Sequence, residues 1–445
     1  MRFDPLIANK SPLIYKFIHL SECLTTTDVD KDDTHECLPE RCGAGSVRPG
    51  TVNSLDTPPT HWESPMNILR KYLASSAVCA VTVSLIFAPS LPASATSSEF
   101  KHPGAIALDH NGHLWVANAD YFGVTEINAH TGQVIRVVSA KADGFIDPTG
   151  IAVSGNNVWV VSGSVTYNNG TSNYGMVSEL NATTGDLVRT VNLKKYGVTG
   201  LSAVSADAPH VWVTADGGEQ VAELSNATGR IVRVFRGRQK HVEPGGIYSD
   251  GRHVWISSLE IGEGVVERSA LTGNKLRTIT PTHMTVPPGG GSKVLTYLGP
   301  RFVTTDARYV WTGNDGSTSF KPSGGSVTQI NAVTGTIVRT IDTATGRFYG
   351  SIQSIVSDGN RVWVINGSVY YQKGRRGDSV TELNATNGSF VRVVVLHNGI
   401  YSDPAGLATN GVDVWVTDQG GGALGIGSVI ELNASTGAVV RMIRG

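Results

Sequence analysis

The sequence predicts an all-β fold, a seven-bladed β-propeller with four antiparallel strands per blade, and three regularities predict it. Seven tryptophans (Trp115, Trp159, Trp212, Trp255, Trp311, Trp363 and Trp415) each stand in a short β-branched run such as Val158-Trp159-Val160. A turn glycine follows each: Gly132, Gly185, Gly229, Gly273, Gly335, Gly388 and Gly437. Four residues after that glycine comes an arginine (Arg136, Arg189, Arg233, Arg277, Arg339, Arg392, Arg441). Six residues before it stands Glu126, Glu179, Glu223, Glu267, Gln329, Glu382 or Glu431. The tryptophan intervals are 44, 53, 43, 56, 52 and 52, so the copies share a plan and differ in their loops.

Within a copy, the first strand reads like Gly150-Ile151-Ala152-Val153. The second strand carries the Trp, the third the Glu and the fourth the Arg, with Gly and Asn between them as strand boundaries require. Four such strands repeated radially form a propeller blade, and a blade buries its faces only by stacking on its neighbours. The blade limits are about 100–144, 145–195, 196–240, 241–296, 297–347, 348–400 and 401–445, with no helix expected. The Ala-Thr-Thr-Gly type of turn suits a hairpin with its glycine in the left-handed region. That register sets Glu opposite Arg as a structural ion pair. The Asn-x-Ser/Thr triplets at Asn181, Asn226, Asn384 and Asn433 are read as residues of this same turn. The tryptophans, flanked by aliphatic residues, are expected to be buried wedges between blades. The copies run from first to fourth strand, so each blade is expected to be one continuous segment. Only Thr96–Glu99 is left to lend a strand across the seam.

Ahead of the repeats, Met66 begins a positive segment with Arg70 and Lys71, an apolar stretch from Tyr72 to Ala88, and Ala93-Ser94-Ala95. This is the pattern of a secretory signal peptide cut after Ala95. An uncleaved anchor is the other reading, although the stretch is short for a bilayer and Pro89 and Pro92 close it. The division is therefore a leader at 1–65 with translation expected to begin at Met66, a signal peptide at 66–95 and a propeller at 96–445. The product is expected to be secreted, monomeric and free of a membrane span after cleavage. Cys23, Cys37, Cys42 and Cys79 all precede the repeats, so no disulfide framework operates there. His35-Glu36-Cys37 with Cys42 fits no ordinary zinc spacing. A formal net charge of −1 gives no basic field for nucleic acid.

The first-strand pattern of Pro148 to Ala152 and Pro404 to Ala408, the Val-Trp-Val strand and the Glu-Leu-Asn…Thr-Gly turn resemble the NHL and YVTN-type propellers. Virginiamycin B lyase-like proteins lie within that superfamily, and the likeness spans about residues 100–445. The resemblance implies the fold; propellers of this type include lyases, hydrolases, sensor domains and binding modules. The lyases' metal-assisted His/Glu site has candidate material here in His241, Glu243 and His283, without residue-by-residue correspondence.

Binding residues belong on loops held by a rigid scaffold. Here those are the connections between blades and the loops between second and third strands, which share one face. Three residues before the Pro, Thr or Ser expected to open each first strand stands Phe100, Phe145, Tyr196, His241, Tyr297, Phe348 or Tyr401. The series reads either as packing wedges or as an aromatic rim at the channel mouth. On the second reading Phe145, Tyr196, His241, Tyr297, Phe348 and Tyr401 contact ligand, joined by Tyr167 and Tyr370 from the long loops of blades 2 and 6. Asp120, Asp216, Asp315 and Asp418 follow the second strands and offer oxygens to a divalent cation such as Ca²⁺, or serve as turn residues. No cofactor motif is present. Two functions follow: a non-catalytic propeller binding a small molecule, glycan or protein on the loop face, or a metal-assisted lyase or hydrolase near His241 and Glu243.

Overall fold

The computed structural model describes residues 100–119, 123–139, 147–167, 170–215, 220–236, 244–258, 264–280, 299–314, 317–318, 321–322, 325–348, 351–367, 379–396, 403–420 and 427–444. All belong to the unit Leu91–Gly445. The leader and signal segment lie outside the described residues.

Seven four-stranded antiparallel sheets follow one another, each with its strands paired in chain order from one continuous segment. Their first strands are Pro103–Leu108, Pro148–Ser154, Leu201–Ala206, Pro244–Ser249, Pro300–Thr305, Ile352–Ser357 and Pro404–Thr409. Each packs beside the next, and Pro404–Thr409 packs beside Pro103–Leu108, which closes the ring. No amino-terminal strand completes the last blade among the described residues.

The tryptophans explain why neighbouring sheets stay together. All seven are at most 1% exposed. Each enters the apolar cluster of the following blade: Trp159 lies with Val211, Val213 and Leu224 of blade 3, and Trp415 with Ile106 and Leu114 of blade 1. Burying one such aromatic removes on the order of 150–250 Å² from water. Some indoles also find a partner: Trp115 Nε1 donates to Asp109 Oδ2 at 3.1 Å and Trp311 Nε1 to Asp306 Oδ2 at 3.2 Å.

The expected cross-strand register is present. Trp159 pairs with Glu179, and Glu179 with Arg189, with the same row in the other copies. In five blades the Arg Nε–Glu Oε2 distance is 2.6–2.8 Å, and Arg277 pairs with Glu267 in blade 4. The arginine does more than pair. Arg136 Nη2 donates to Thr183 O of the next blade's turn at 3.1 Å, Arg392 Nη2 to Ser435 O at 3.0 Å, and Arg441 Nη2 to His130 O of blade 1 at 2.9 Å. The row Trp–Glu–Arg is thus a joint between blades.

Three expectations need correction. Helix is present, although in two single turns: a 3₁₀ turn at Lys194–Tyr196 and a four-residue helix at Thr343–Gly346. Asp342 caps the second by accepting from Thr345 N at 2.8 Å, and Gly197 ends the first in the left-handed region. The long loop of blade 2 is a β-ribbon, with strands Asn157–Tyr167 and Gly170–Asn181 paired out to Tyr167 and Gly170. Its β-branched residues allow pairing to continue beyond the sheet. Finally, Asn226 is not the turn residue of its blade. Asn181, Asn384 and Asn433 each accept two turn amides. In blade 3 Ser225 takes that place, accepting from Thr228 N. Asn226 is buried and accepts from Trp159 Nε1 of blade 2 at 2.6 Å.

Candidate functional site

Antiparallel order puts the second-to-third loops and the blade connections at the same ends of the strands. Backbone bonds tie the two: Ala119 N donates to His102 O, Gly163 N to Asp147 O, Gly367 N to Ser351 O and Gln419 N to Asp403 O. A rigid collar therefore underlies this face.

The aromatic series divides on it. Phe100 and Phe348 are fully buried in the clusters joining blade 7 to 1 and blade 5 to 6. Tyr196 is 43% exposed. Phe145, His241, Tyr297, Tyr370 and Tyr401 lie outside the described residues, as do Glu243, His283, Asp120, Asp216 and Asp315. Tyr167 ends a ribbon strand, its backbone paired with Gly170. Asp418 is buried, and its Oδ1 accepts from Asp403 N at 2.8 Å and Gly420 N at 3.1 Å, which organises the turn after the second strand.

Tyr196 stands out because its neighbours have taken over packing. Leu193 and Val198 bracket the 3₁₀ turn, are both fully buried and fill the wedge between blades 2 and 3. The turn between them is left to display Lys194, Lys195 and Tyr196. Lys195 Nζ lies 5.0 Å from the Tyr196 ring centroid, and Arg236 Nη2, from the end of blade 3's fourth strand, donates to Tyr196 O at 2.8 Å. Lys194, Lys195 and Arg236 are exposed, and no carboxylate pairs with them among the described residues.

A second set of residues stands one before the first-strand prolines, Asp147 in blade 2 and, at the seam, His102 in blade 1 and Asp403 in blade 7. His102 and Asp147 adopt φ of 47° and 53°, a region that side chains other than glycine rarely occupy. Burial pushes the Asp403 carboxyl up, Asp418 adds to this, and His102 opposes it. Sequence reasoning passed these residues over, although aligning the copies on the proline brings them, and Glu243, to one position.

No family model matches the chain, and no curated protein sequence does. Solved structures do. One described as the structure of U3-55K superposes with a TM-score of 0.53 at 11% identity, covering 72% of this chain and 89% of that one. The RRP9 WD40 repeats give 0.53 at 11% identity over 72% and 88%. BamB from Moraxella catarrhalis gives 0.43 at 16% identity over 71% and 80%. At these identities the first two establish the propeller fold and nothing narrower.

Proposed function

We propose that this chain is a secreted, non-catalytic binding propeller of the NHL/YVTN type that takes its ligand on the face formed by blade connections and second-to-third loops. One observation carries the reading: shared and unshared residues have different places. The Trp, Glu and Arg present in the copies are consumed in joining blades. Differences in loop length between the copies fall on this face, where Tyr196 is exposed while Phe100 and Phe348 are buried and blade 2 extends a ribbon. A fixed scaffold with variable loops is how rigid folds carry recognition.

The test is a thermal-shift screen of the full chain against glycans, small molecules and divalent cations, since a native-state ligand raises the melting temperature. Hydrogen exchange then maps the hit. Protection around 194–199 and 163–175 supports the reading, whereas protection confined to the opposite turns, such as 331–335, overturns it. Secretion is checked on the exported native product, whose amino terminus is expected at Thr96.

A further inference from the structure

We infer that Lys194, Lys195, Tyr196 and Arg236 form a subsite for an acidic glycan, a saccharide chain carrying carboxylates. The inference rests on the loop face being the binding face and deepens it. Three features carry it. Tyr196 presents an exposed ring, with Lys195 Nζ over one face, on a turn closed by Gly197 (φ 79°) and pinned by Arg236 through the Tyr196 carbonyl, so little ordering is left for binding on the other face. Leu193 and Val198 already fill the interface, so the ring's exposure is not needed for packing. Three cations from two blades share this turn, Lys195 over the ring, Arg236 on the Tyr196 carbonyl and Lys194 at the start of the turn, in a molecule whose formal net charge is −1, which makes this a local positive field.

A ring with an apolar face and an acidic substituent fits all three features. The sugar's C–H face lies on Tyr196, and its carboxylate is held by lysine ammonium groups and the free donors of Arg236. A polynucleotide fits less well. Such ligands run along a basic groove with successive aromatic platforms, whereas this patch offers one ring and covers one or two residues of a chain.

The test titrates the full chain with an oligogalacturonate, its methyl-esterified neutral form and an oligodeoxythymidylate of equal charge. The acid form is expected to bind more tightly than either. Tyr196→Ala should weaken it about tenfold without altering the salt dependence. The double variant K194E/K195E should weaken it about 100-fold and flatten that dependence. Melting temperatures should not move, because these side chains are exposed. No binding of the acid form, equal binding of the neutral form, or tighter binding of the oligodeoxythymidylate would each overturn the inference. A ligand found in the screen that protects this face but ignores both variants overturns the subsite and leaves the face reading standing. One that maps to the opposite turns overturns both.

Discussion

Gly185 shows how one residue can be required twice. Its φ is 75°, and a Cβ built there would lie 2.6 Å from Cδ of Arg136, the arginine of the preceding blade. Gly155, in the same blade, has φ 59° but open space around it. Gly155→Ala should therefore cost roughly 1–2 kcal/mol, the left-handed penalty alone. Gly185→Ala should cost measurably more, because the guanidinium must leave Thr183 O and Glu126. Urea unfolding of the two variants checks this, and equal losses would mean that the arginine yields freely. For the tryptophans, Trp212→Ala should cost about 3–5 kcal/mol and leave ligand affinity unchanged, as calorimetry with any ligand from the screen can show. These residues were legible in the sequence because they recur at fixed offsets. Their destinations were not, because a periodic pattern reports the register within a blade and is silent about the next one. Asn226 was misplaced for the same reason: its partner is Trp159, 67 residues away in another blade.

The unit above the residue is the third–fourth strand hairpin with its buried ion pair. In blade 2 burial pushes the Glu179 carboxyl above its usual 4.5, and Arg189 opposes this only in part. A raised acid pKa means that the native state holds the proton more firmly than the unfolded chain. Its contribution to stability is complete below 4.5 and is lost as pH rises through the native value. Blade 5 already carries the neutral counterpart, Gln329, whose Nε2 donates to Ala385 O of blade 6 at 3.0 Å. Glu179→Gln should therefore gain stability relative to the parent as pH rises from below 4.5 through the raised native value. Urea midpoints across that range test it, and a difference that does not vary with pH would sink the assignment. Element limits outside the hairpin were harder to read. The 3₁₀ turn lies in blade 2, and loop pairing differs between blades, Tyr167 with Gly170 in blade 2 and Ser317–Thr318 with Lys321–Pro322 in blade 5, so the shared repeat does not expose either feature in the sequence. The site was half legible on similar grounds. The aromatic series was countable, but which ring faces solvent depends on whether neighbours such as Leu193 and Val198 fill the wedge first.

At the scale of the whole molecule the question is how the ring closes, since among the described residues no strand is exchanged between its first and last blades. Packing at the seam repeats what joins every other pair. Trp415 enters the cluster of Phe100, Ile106 and Leu114, and Arg441 reaches His130 O in blade 1. Thr417 Oγ1 donates to Gly104 O at 2.6 Å and accepts from Gly406 N at 2.8 Å, filling the irregularity in the last blade's first strand while gripping blade 1. The same device occurs inside the ring, where Thr214 Oγ1 donates to Gly245 O at 2.9 Å. Gly427 N also donates to Phe100 O at 3.2 Å, a backbone latch short of a strand. If the seam equals the internal interfaces, the ring has no weak joint and should unfold as a unit. An open stack would instead fray from its ends, as repeat arrays do. Trp415→Ala and Trp159→Ala remove matching wedges from the seam and from an internal interface. Each should lower stability by about 3–5 kcal/mol in a single transition. Native-state hydrogen exchange should show blades 1 and 7 opening with the rest. If Trp415→Ala instead releases blade 7 alone, with the other blades still protected, closure by packing is wrong and the seam is a hinge.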